Sequence, residues 1–373
     1  MGDHALLSPS SSKQWLNCPP SARLGEDVKD ETSVFAEEGT EAHALCEYKV
    51  QKALGRVVED PRPGMRYLDS VMEECSDAYR DFIMQIVEEE KAKGLKPSVF
   101  IEERLDVTAY VPGCFGTGDC IIISGNTLRI IDFKYGVGVP VDSEGNTQMM
   151  IYGLGAWELY SLIYDIEKVE MTIYQPRIGN ISTSVLDACV LVEWAEKYLS
   201  PIAEKAWKGE GELKPGDWCR FCKVKAQCRA RAEENMKLAR MEFRKANLLS
   251  DEELSEVLAQ GEHLVSWVND VRDYAMALAL QGKNIPGWKL VAGRAVRKYT
   301  DEDAVIAAVK NAGYDPFESK LLGITAMTSR LGRKGFDEVL GGLVRKAPGK
   351  PTLVAESDRR PAIAISDFKD MEE

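Results

Sequence analysis

Apolar residues recur along the chain with two different periods, which divide it into predicted helices and strands. Spacings of three to four residues predict helices over residues 33–54, 67–94, 145–163, 191–208 and 251–281. Alternating or continuous apolar runs bounded by turn residues predict strands over residues 98–107, 114–124, 127–133, 168–175 and 183–190. The order helix, three strands, helix, strands predicts a mixed α/β core.

The character of the chain changes after residue 210. A cysteine-rich turn at 214–228 leads into a helical stretch that ends near residue 247, and the amphipathic segment 251–281 is interpreted as a packing helix. We therefore predict three parts: a domain over 1–247, a mainly helical region over 248–350 and an extended tail over 351–373.

Charge is unevenly distributed in this acidic chain. The formal net charge is −13, which argues against a protein that coats nucleic acid indiscriminately. The stretch 219–245 nevertheless contains nine Lys and Arg against three Glu, a local charge of +6. It is either an ordinary solvated helix face or part of a groove for a phosphate backbone.

Composition also bears on the compartment. No apolar run reaches the roughly 20 residues of a membrane span, and the first residues lack the apolar core of a signal peptide. We expect a cytoplasmic protein with no membrane partner. Its nine cysteines, an odd number, favour metal or cluster ligation over a disulfide framework in such a compartment.

Two carboxylates and a lysine interrupt the predicted β-hairpin 114–133. Asp132 and Lys134 lie on one face of a strand, about 6.6 Å apart, and Phe133 points to the opposite face. Asp119 on the preceding strand can face Asp132, and two such carboxylates repel unless a cation lies between them. A hard ion such as Mg²⁺ suits these ligands, and a neighbouring lysine can orient a water or neutralise phosphate charge. A buried Asp–Lys ion pair is the alternative.

Four short motifs occur in a fixed order around this hairpin. They are Gly39-Thr-Glu-Ala-His43, Gly116-Thr-Gly-Asp119, Asp132-Phe-Lys134 and Gln148-Met-Met-Ile-Tyr152. The set resembles the RecB-type branch of the PD-(D/E)XK nuclease superfamily over roughly residues 10–235. The resemblance implies a restriction-endonuclease-like fold, in which a mixed sheet is flanked by helices.

The resemblance also implies roles for individual residues. The metal, Mg²⁺ or Mn²⁺, would be bound by His43, Asp119, Asp132 and the carbonyl of Phe133. Lys134 would serve the nucleophilic water, while Gln148 and Tyr152 would position the scissile phosphate. Taken alone, His43 could be a surface residue and the Gln–Tyr pair ordinary helix neighbours. Glu102 or Glu103 on the preceding strand is a lesser candidate for an outer carboxylate.

A second candidate site is the cysteine motif Cys219-x₂-Cys222-x₅-Cys228. Three thiols this close are a strong ligand signal, but a tetrahedral site or a cubane needs a fourth. Spacing alone leaves six candidates for it: Cys18, Cys46, Cys75, Cys114, Cys120 and Cys189. The layout resembles RecB-type nucleases with an iron–sulfur staple, which implies that Cys18 completes a [4Fe–4S] site. Zn²⁺ is the competing ligand.

These patterns together lead to an expected function. We expect a metal-dependent deoxyribonuclease, most simply an exonuclease, with Trp218 and Phe221 available for base stacking. Over its full length, including GWKLVAGRAVRKYT (287–300) and KPTLVAESDRRPAI (350–363), the chain resembles a phage- and prophage-borne RecB-like family. This resemblance implies a role in phage DNA recombination or replication in a bacterial host cell. A single-strand-annealing or single-strand-binding protein is the expected partner besides DNA. The alternatives are a catalytically silent DNA-end-binding module and a metal-stapled scaffold.

Overall fold

The computed structural model of the protein describes residues 5–28, 34–138, 140–239, 250–291, 299–317 and 322–344. The chain divides into two compact units, Met1–Tyr274 and Ala275–Glu373. Some sequence predictions lie outside the described residues: the predicted tail 351–373, positions 292–298 and most of the basic stretch after residue 239.

A five-stranded mixed sheet forms the centre of the first unit. Its strands are β1 (Ser98–Asp106), β2 (Phe115–Ser124), β3 (Thr127–Phe133), β4 (Lys168–Gln175) and β5 (Asn180–Asp187), and they lie in sequential order. Neighbours are antiparallel except for the parallel pair β3–β4. A parallel pair requires a crossover connection, which helix α5 (Thr147–Tyr160) supplies. The predicted mixed sheet flanked by helices is therefore confirmed.

The first unit contains further helices along the chain. They are α1 (Ser12–Asn17), α2 (Ser21–Leu24), α3 (Val34–Ala53), α4 (Ser70–Ala92), α6 (Ala188–Trp194), α7 (Ser200–Lys208), α8 (Arg229–Ala239) and α9 (Asp251–Leu280), the last of which extends beyond Tyr274. None of the described helices is long and apolar enough to cross a lipid bilayer.

Both faces of the β2–β3 hairpin are buried. One set of side chains packs against α5: Ile121, Ile123, Leu128 and Ile130. The alternate set packs with residues of α3 and α4: Cys120, Ile122, Ile131 and Phe133. A sheet covered on both faces needs apolar residues at successive positions, which explains the continuous apolar runs in these strands.

Two predicted boundaries were wrong. Strand β5 begins at Asn180 because the chain turns tightly through Gly179, whose φ is 64°, and Asn180 then pairs with Gln175. The single helix predicted over 191–208 begins instead at Ala188 and is interrupted by a π turn at Ala195–Leu199. Pro201 follows at the start of α7. It has no backbone N–H and so cannot donate a hydrogen bond to the preceding helical turn.

The amphipathic segment 251–281 forms α9, as predicted, but buries less surface than a packing helix would. No residue of α9 is fully buried, and its apolar side chains are half-buried or exposed. The second unit contains α10 (Glu302–Asn311) and α11 (Ile324–Leu340), which is kinked at Gly332.

The contact between α5 and the sheet depends on a glycine. A Cβ at Gly153 would lie 2.8 Å from Cγ1 of Val169, whose branched side chain has little rotamer freedom. Overpacking of this kind costs about 1–3 kcal/mol, and the better helix propensity of alanine offsets about 1 kcal/mol. We expect Gly153→Ala to lower the free energy of unfolding by up to about 2 kcal/mol in urea titrations.

The matched control is Gly39 in α3, where a Cβ would meet no atom within 4 Å. Gly39→Ala should raise the free energy of unfolding by up to about 1 kcal/mol, because only helix propensity changes. Equal effects of the two substitutions would contradict the packing described for α5.

Candidate functional site

The site begins where the β2–β3 ladder ends. The last registered pair of the two strands is Cys120–Ile131, so Asp119 and Asp132 lie one position beyond it. The N–H of Phe133 donates a hydrogen bond of 2.7 Å to Oδ2 of Asp119. A side-chain carboxylate thus replaces the backbone partner, and this bond fixes Asp119 between the two strands.

Strand β1 is distorted opposite Asp119. Glu102 has a φ of 51°, and the β1–β2 register omits it between the pairs Ile101–Cys120 and Glu103–Gly118. A glutamate in this left-handed region costs on the order of 1–3 kcal/mol and is most often found where function requires it. The distortion brings the Glu102 carboxylate to the α3 side of the sheet.

Three side chains from three elements converge at this point. His43 on α3 places Nδ1 3.4 Å from Oδ1 of Asp119. One ligand atom each of His43, Glu102 and Asp119 lies within 4.8 Å of the others, so this partly buried group could hold a metal ion. Asp132 is not a member of that group. Glu102 is a stronger candidate here than in the sequence, because periodicity cannot reveal a local change of φ.

The charges of the group shift the pKa values of its members. Burial lowers the pKa of His43, but the carboxylates, led by Asp119, outweigh burial and raise it to about 9. Burial and the neighbouring Asp119 raise the pKa of Glu102 to about 7. The pKa of Asp119 is lowered despite burial, because His43, Lys134 and the Phe133 N–H stabilise its charge. Asp119 therefore remains ionised at neutral pH, His43 is protonated, and Glu102 titrates near neutrality.

A second polar set begins at Asp132, which is 3% exposed. Lys134 Nζ lies 2.8 Å from Oδ2 and 3.2 Å from Oδ1 of this carboxylate, so the alternative of an Asp–Lys ion pair is present in the structure. The closer contact lacks hydrogen-bond geometry, and Oδ2 accepts no hydrogen bond from the described residues. Burial raises the pKa of Asp132, and Asp132 raises that of Lys134 against the effect of burial.

This set continues onto α5. Lys134 Nζ is 3.5 Å from Oε1 of Gln148, and Nε2 of Gln148 donates to the Tyr152 hydroxyl at 3.3 Å. Burial is the main cause that raises the pKa of Tyr152 to about 12, so the phenol stays protonated. The structure thus brings together Asp132, Lys134, Gln148 and Tyr152. No described contact of the Phe133 carbonyl tests its predicted role.

The first glycine of the Gly-Thr-Gly-Asp motif, Gly116, is required for steric reasons. A Cβ at Gly116 would lie 2.7 Å from the ring of Tyr152 and 3.0 Å from Pro9. Sequence analysis treated Gly116 only as part of a motif. In the structure its missing side chain lets the tyrosine reach the sheet.

The four cysteines of the second predicted site also meet. Cys18, Cys219, Cys222 and Cys228 line one cavity of about 20 Å³. Their sulfurs do not form a group within 4.8 Å of one another in the described chain. A tetrahedral zinc ion with Zn–S bonds of about 2.3 Å would hold its sulfurs within about 4 Å. The arrangement is therefore wider than a single zinc ion requires.

One polar side chain of this cavity is buried without a partner. Ser21, which is 4% exposed, lines the cavity, and its Oγ has no hydrogen-bond partner among the described residues. Burial raises the pKa of Cys222 to about 11, so its free thiol is protonated at neutral pH and becomes a thiolate ligand only with a cation.

The two aromatic residues predicted to stack on bases differ in exposure. Trp218 lines the cysteine cavity, and its Nε1 donates to the Lys214 carbonyl at 2.7 Å. Phe221 is 81% exposed, and the Arg220 guanidinium lies 5.5 Å from its ring centroid. Trp218 is thus held in the fold, whereas Phe221 is accessible to a ligand.

Comparison with known proteins gives a family and a structural likeness. A family model described as "Protein of unknown function (DUF2800)" matches residues 4–361, and the chain belongs to this family. A solved structure titled "Crystal structure of SSO0001" is 20% identical, with a TM-score of 0.23, over 50% of this chain and 95% of that chain.

The position of Glu102 gives a testable prediction. We expect Glu102→Gln to weaken Mn²⁺ binding by at least roughly tenfold, because it removes one of two carboxylates from the group. Isothermal titration calorimetry on the full chain measures this. Glu103→Gln is the matched control on the same strand, since Glu103 is not in the group. Equal Mn²⁺ affinities of the two variants would exclude Glu102 as a ligand.

Proposed function

We propose that this DUF2800 protein is a metal-dependent deoxyribonuclease. The observation that carries the proposal is the meeting of two polar sets at the end of the β2–β3 ladder. The group His43, Glu102 and Asp119 lies on one side, and the chain from Asp132 through Lys134 to Gln148 lies beside it. Buried carboxylates and a lysine arranged in this way are costly for a fold and suit phosphodiester hydrolysis.

The donor set is consistent with the ions Mg²⁺ and Mn²⁺. Carboxylate oxygens dominate it, and a single imidazole is compatible with Mn²⁺ in particular. Oδ2 of Asp132 is buried and accepts no hydrogen bond among the described residues, but it lies 2.8 Å from Nζ of Lys134, so an ion bound by this carboxylate would share it with the lysine. When bound, such an ion lowers the pKa of a water and offsets charge on the phosphate.

Lys134 acts in this proposal as a fixed positive charge. Its pKa is raised because Asp132 stabilises the ammonium more than burial destabilises it. A lysine that holds its proton at neutral pH is a poor general base but a good hydrogen-bond donor to a phosphate oxygen. Of the roles open to Lys134 from the sequence, stabilisation of developing negative charge is favoured.

Gln148 and Tyr152 continue a chain of hydrogen bonds from the Lys134 ammonium toward the proposed position of the substrate. Gln148 accepts from Lys134 and donates to the Tyr152 hydroxyl, which leaves the phenolic proton for another acceptor. A phosphate or sugar oxygen of a DNA strand is such an acceptor. The exposed Phe221 and Arg220 provide a surface on which a base can stack.

The proposed role is digestion of DNA from an end, in phage recombination or replication, with a single-strand-annealing or single-strand-binding protein as partner. The sequence contains no nucleotide-binding G-x-x-x-x-G-K-[ST] loop, so strand separation would come from that partner. The compartment that suits this role is the cytoplasm of a bacterial host. A DNA-end-binding module without catalysis, or a scaffold, are the competing functions.

The cysteine cavity is proposed to hold a structural [4Fe–4S] cluster. Support comes from the four thiols that line one cavity, and the resemblance to RecB-type nucleases with an iron–sulfur staple favours iron over zinc. The thiols of Cys18 and of the Cys219–Cys228 motif would together join the amino-terminal segment to the chain after α7.

The nuclease proposal predicts metal-dependent loss of DNA. With Mg²⁺ or Mn²⁺, the anaerobically purified wild type should degrade end-labelled linear DNA and leave a closed circle intact. Asp132→Asn and Lys134→Ala should each lower the rate by roughly 10²-fold or more, because they remove a fixed charge from the site of charge development.

Lys168→Ala is the control for this experiment. Lys168 is exposed at the opposite end of the parallel β3–β4 pair and should leave the rate unchanged. Intact linear DNA after incubation with metal-loaded wild type would refute catalysis. Retained binding of linear ends in that case would favour the end-binding module over the scaffold.

The cluster proposal predicts iron and sulfide in the anaerobically purified protein. Cys222→Ser should abolish both and lower the thermal midpoint, since one ligand of four is lost. Cys189→Ser removes an exposed cysteine and should change neither. Stoichiometric zinc in place of iron would decide for the competing ion.

A further inference from the structure

Helix α9 contacts the cysteine segment through one carboxylate. Oδ2 of Asp270 lies 2.6 Å from Nη1 of Arg231, and Oδ1 lies 2.9 Å from Nζ of Lys225. The side chains of Arg231 and Asp270 are only 8% and 15% exposed. This is a partly desolvated ion triad, which differs from the exposed pairs on the helix surfaces.

Both cations of the triad also line the cysteine cavity. Lys225 and Arg231 are lining residues together with the four thiols and Ser21. Lys225 is held further by a hydrogen bond of 3.1 Å from Nζ to the Arg220 carbonyl, and Arg231 by one of 3.3 Å to the Lys225 carbonyl. The cations are therefore fixed beside the cavity and do not project freely into solvent.

The charges of the triad do not cancel. Two cations and one carboxylate leave a net charge of +1 at the wall of the cavity. Burial of an arginine beside a second cation is unfavourable unless anionic groups lie close by. Four thiolates around a [4Fe–4S] core carry net negative charge, and nearby charges and hydrogen bonds are among the factors that set the potential of such a cluster.

We propose that Arg231 and Lys225 compensate the negative charge of the cluster and that Asp270 of α9 positions them. The inference rests on the proposed cluster and extends its site beyond the region with RecB-type motifs. Asp270 then has a function: through it, α9 supports the wall of the cluster site that Lys225 and Arg231 form. Removal of the Asp270 carboxylate should release the two cations from their fixed positions and make the net charge beside the cluster more positive.

The test compares Asp270→Asn with Asp273→Asn in the full chain. Asp273 is exposed on the same helix and appears in none of the contacts of the triad. After anaerobic purification, iron loss to a chelator is followed by the decay of visible absorbance. We expect Asp270→Asn to lose its cluster at least roughly tenfold faster than wild type. Asp273→Asn should match wild type, and Asp270→Glu should recover most of the lifetime.

The sign of the reduction potential separates charge compensation from simple loss of packing. Asp270→Asn adds positive charge near the cluster and should raise the midpoint potential, whereas Arg231→Gln removes it and should lower the potential. Arg231→Lys keeps the charge and is the variant to use if the glutamine variant does not fold. It should stay close to the wild-type potential. Shifts of the same sign in the Asn and Gln variants would overturn the proposal.

Failure of this inference is distinguishable from failure of the cluster proposal. Wild type without iron would overturn both. Wild type with a cluster, together with unchanged iron loss and unchanged potential in Asp270→Asn, would overturn only the role of α9.

Discussion

Beyond the pair Cys120–Ile131, strands β2 and β3 are no longer paired in register, and a buried peptide group without a partner costs about 1–3 kcal/mol. The Asp119 carboxylate prevents that loss for the N–H of Phe133. The same carboxylate faces His43, so one side chain completes the backbone hydrogen bonding and supplies a ligand. The β2–β3 pairing can end at this position because Asp119 satisfies the Phe133 N–H. The end of the pairing leaves room beside Asp119 for other side chains.

The site is built from both faces of the sheet. Helix α3 brings His43 to the face that packs with α4, and α5 brings Gln148 and Tyr152 to the other face. Regular alternation would keep ligands on only one face. The left-handed residue Glu102 breaks that alternation in β1 and adds a carboxylate beside His43. Glu102 keeps this unfavourable φ angle because the β1–β2 pairs on both sides of it, Ile101–Cys120 and Glu103–Gly118, fix the backbone.

Sequence periodicity predicted the bounds of the three central strands and of α5 to within a few residues. These elements are largely buried, and burial sets the spacing of apolar residues along a strand or a helix. The motifs also identified Asp132, Lys134, Gln148 and Tyr152 as neighbours. Glu102 was underestimated because a single φ angle leaves no trace in the spacing of apolar residues. The partners Arg231 and Asp270 were not predicted, because an ion pair between residues far apart in sequence has no periodic signal.

Local charge in a sequence is also a poor measure of a surface for DNA. The excess of cations after Cys219 suggested a groove for a phosphate backbone, but two of those cations, Lys225 and Arg231, are committed to Asp270. Lys237 pairs with Glu234 on its own helix. Counterion release by DNA requires cations that are exposed and unpaired, so the stretch offers less binding energy than its formal charge implies. Affinity for a strand would then depend more on Arg220, Phe221 and the metal site than on the basic helix.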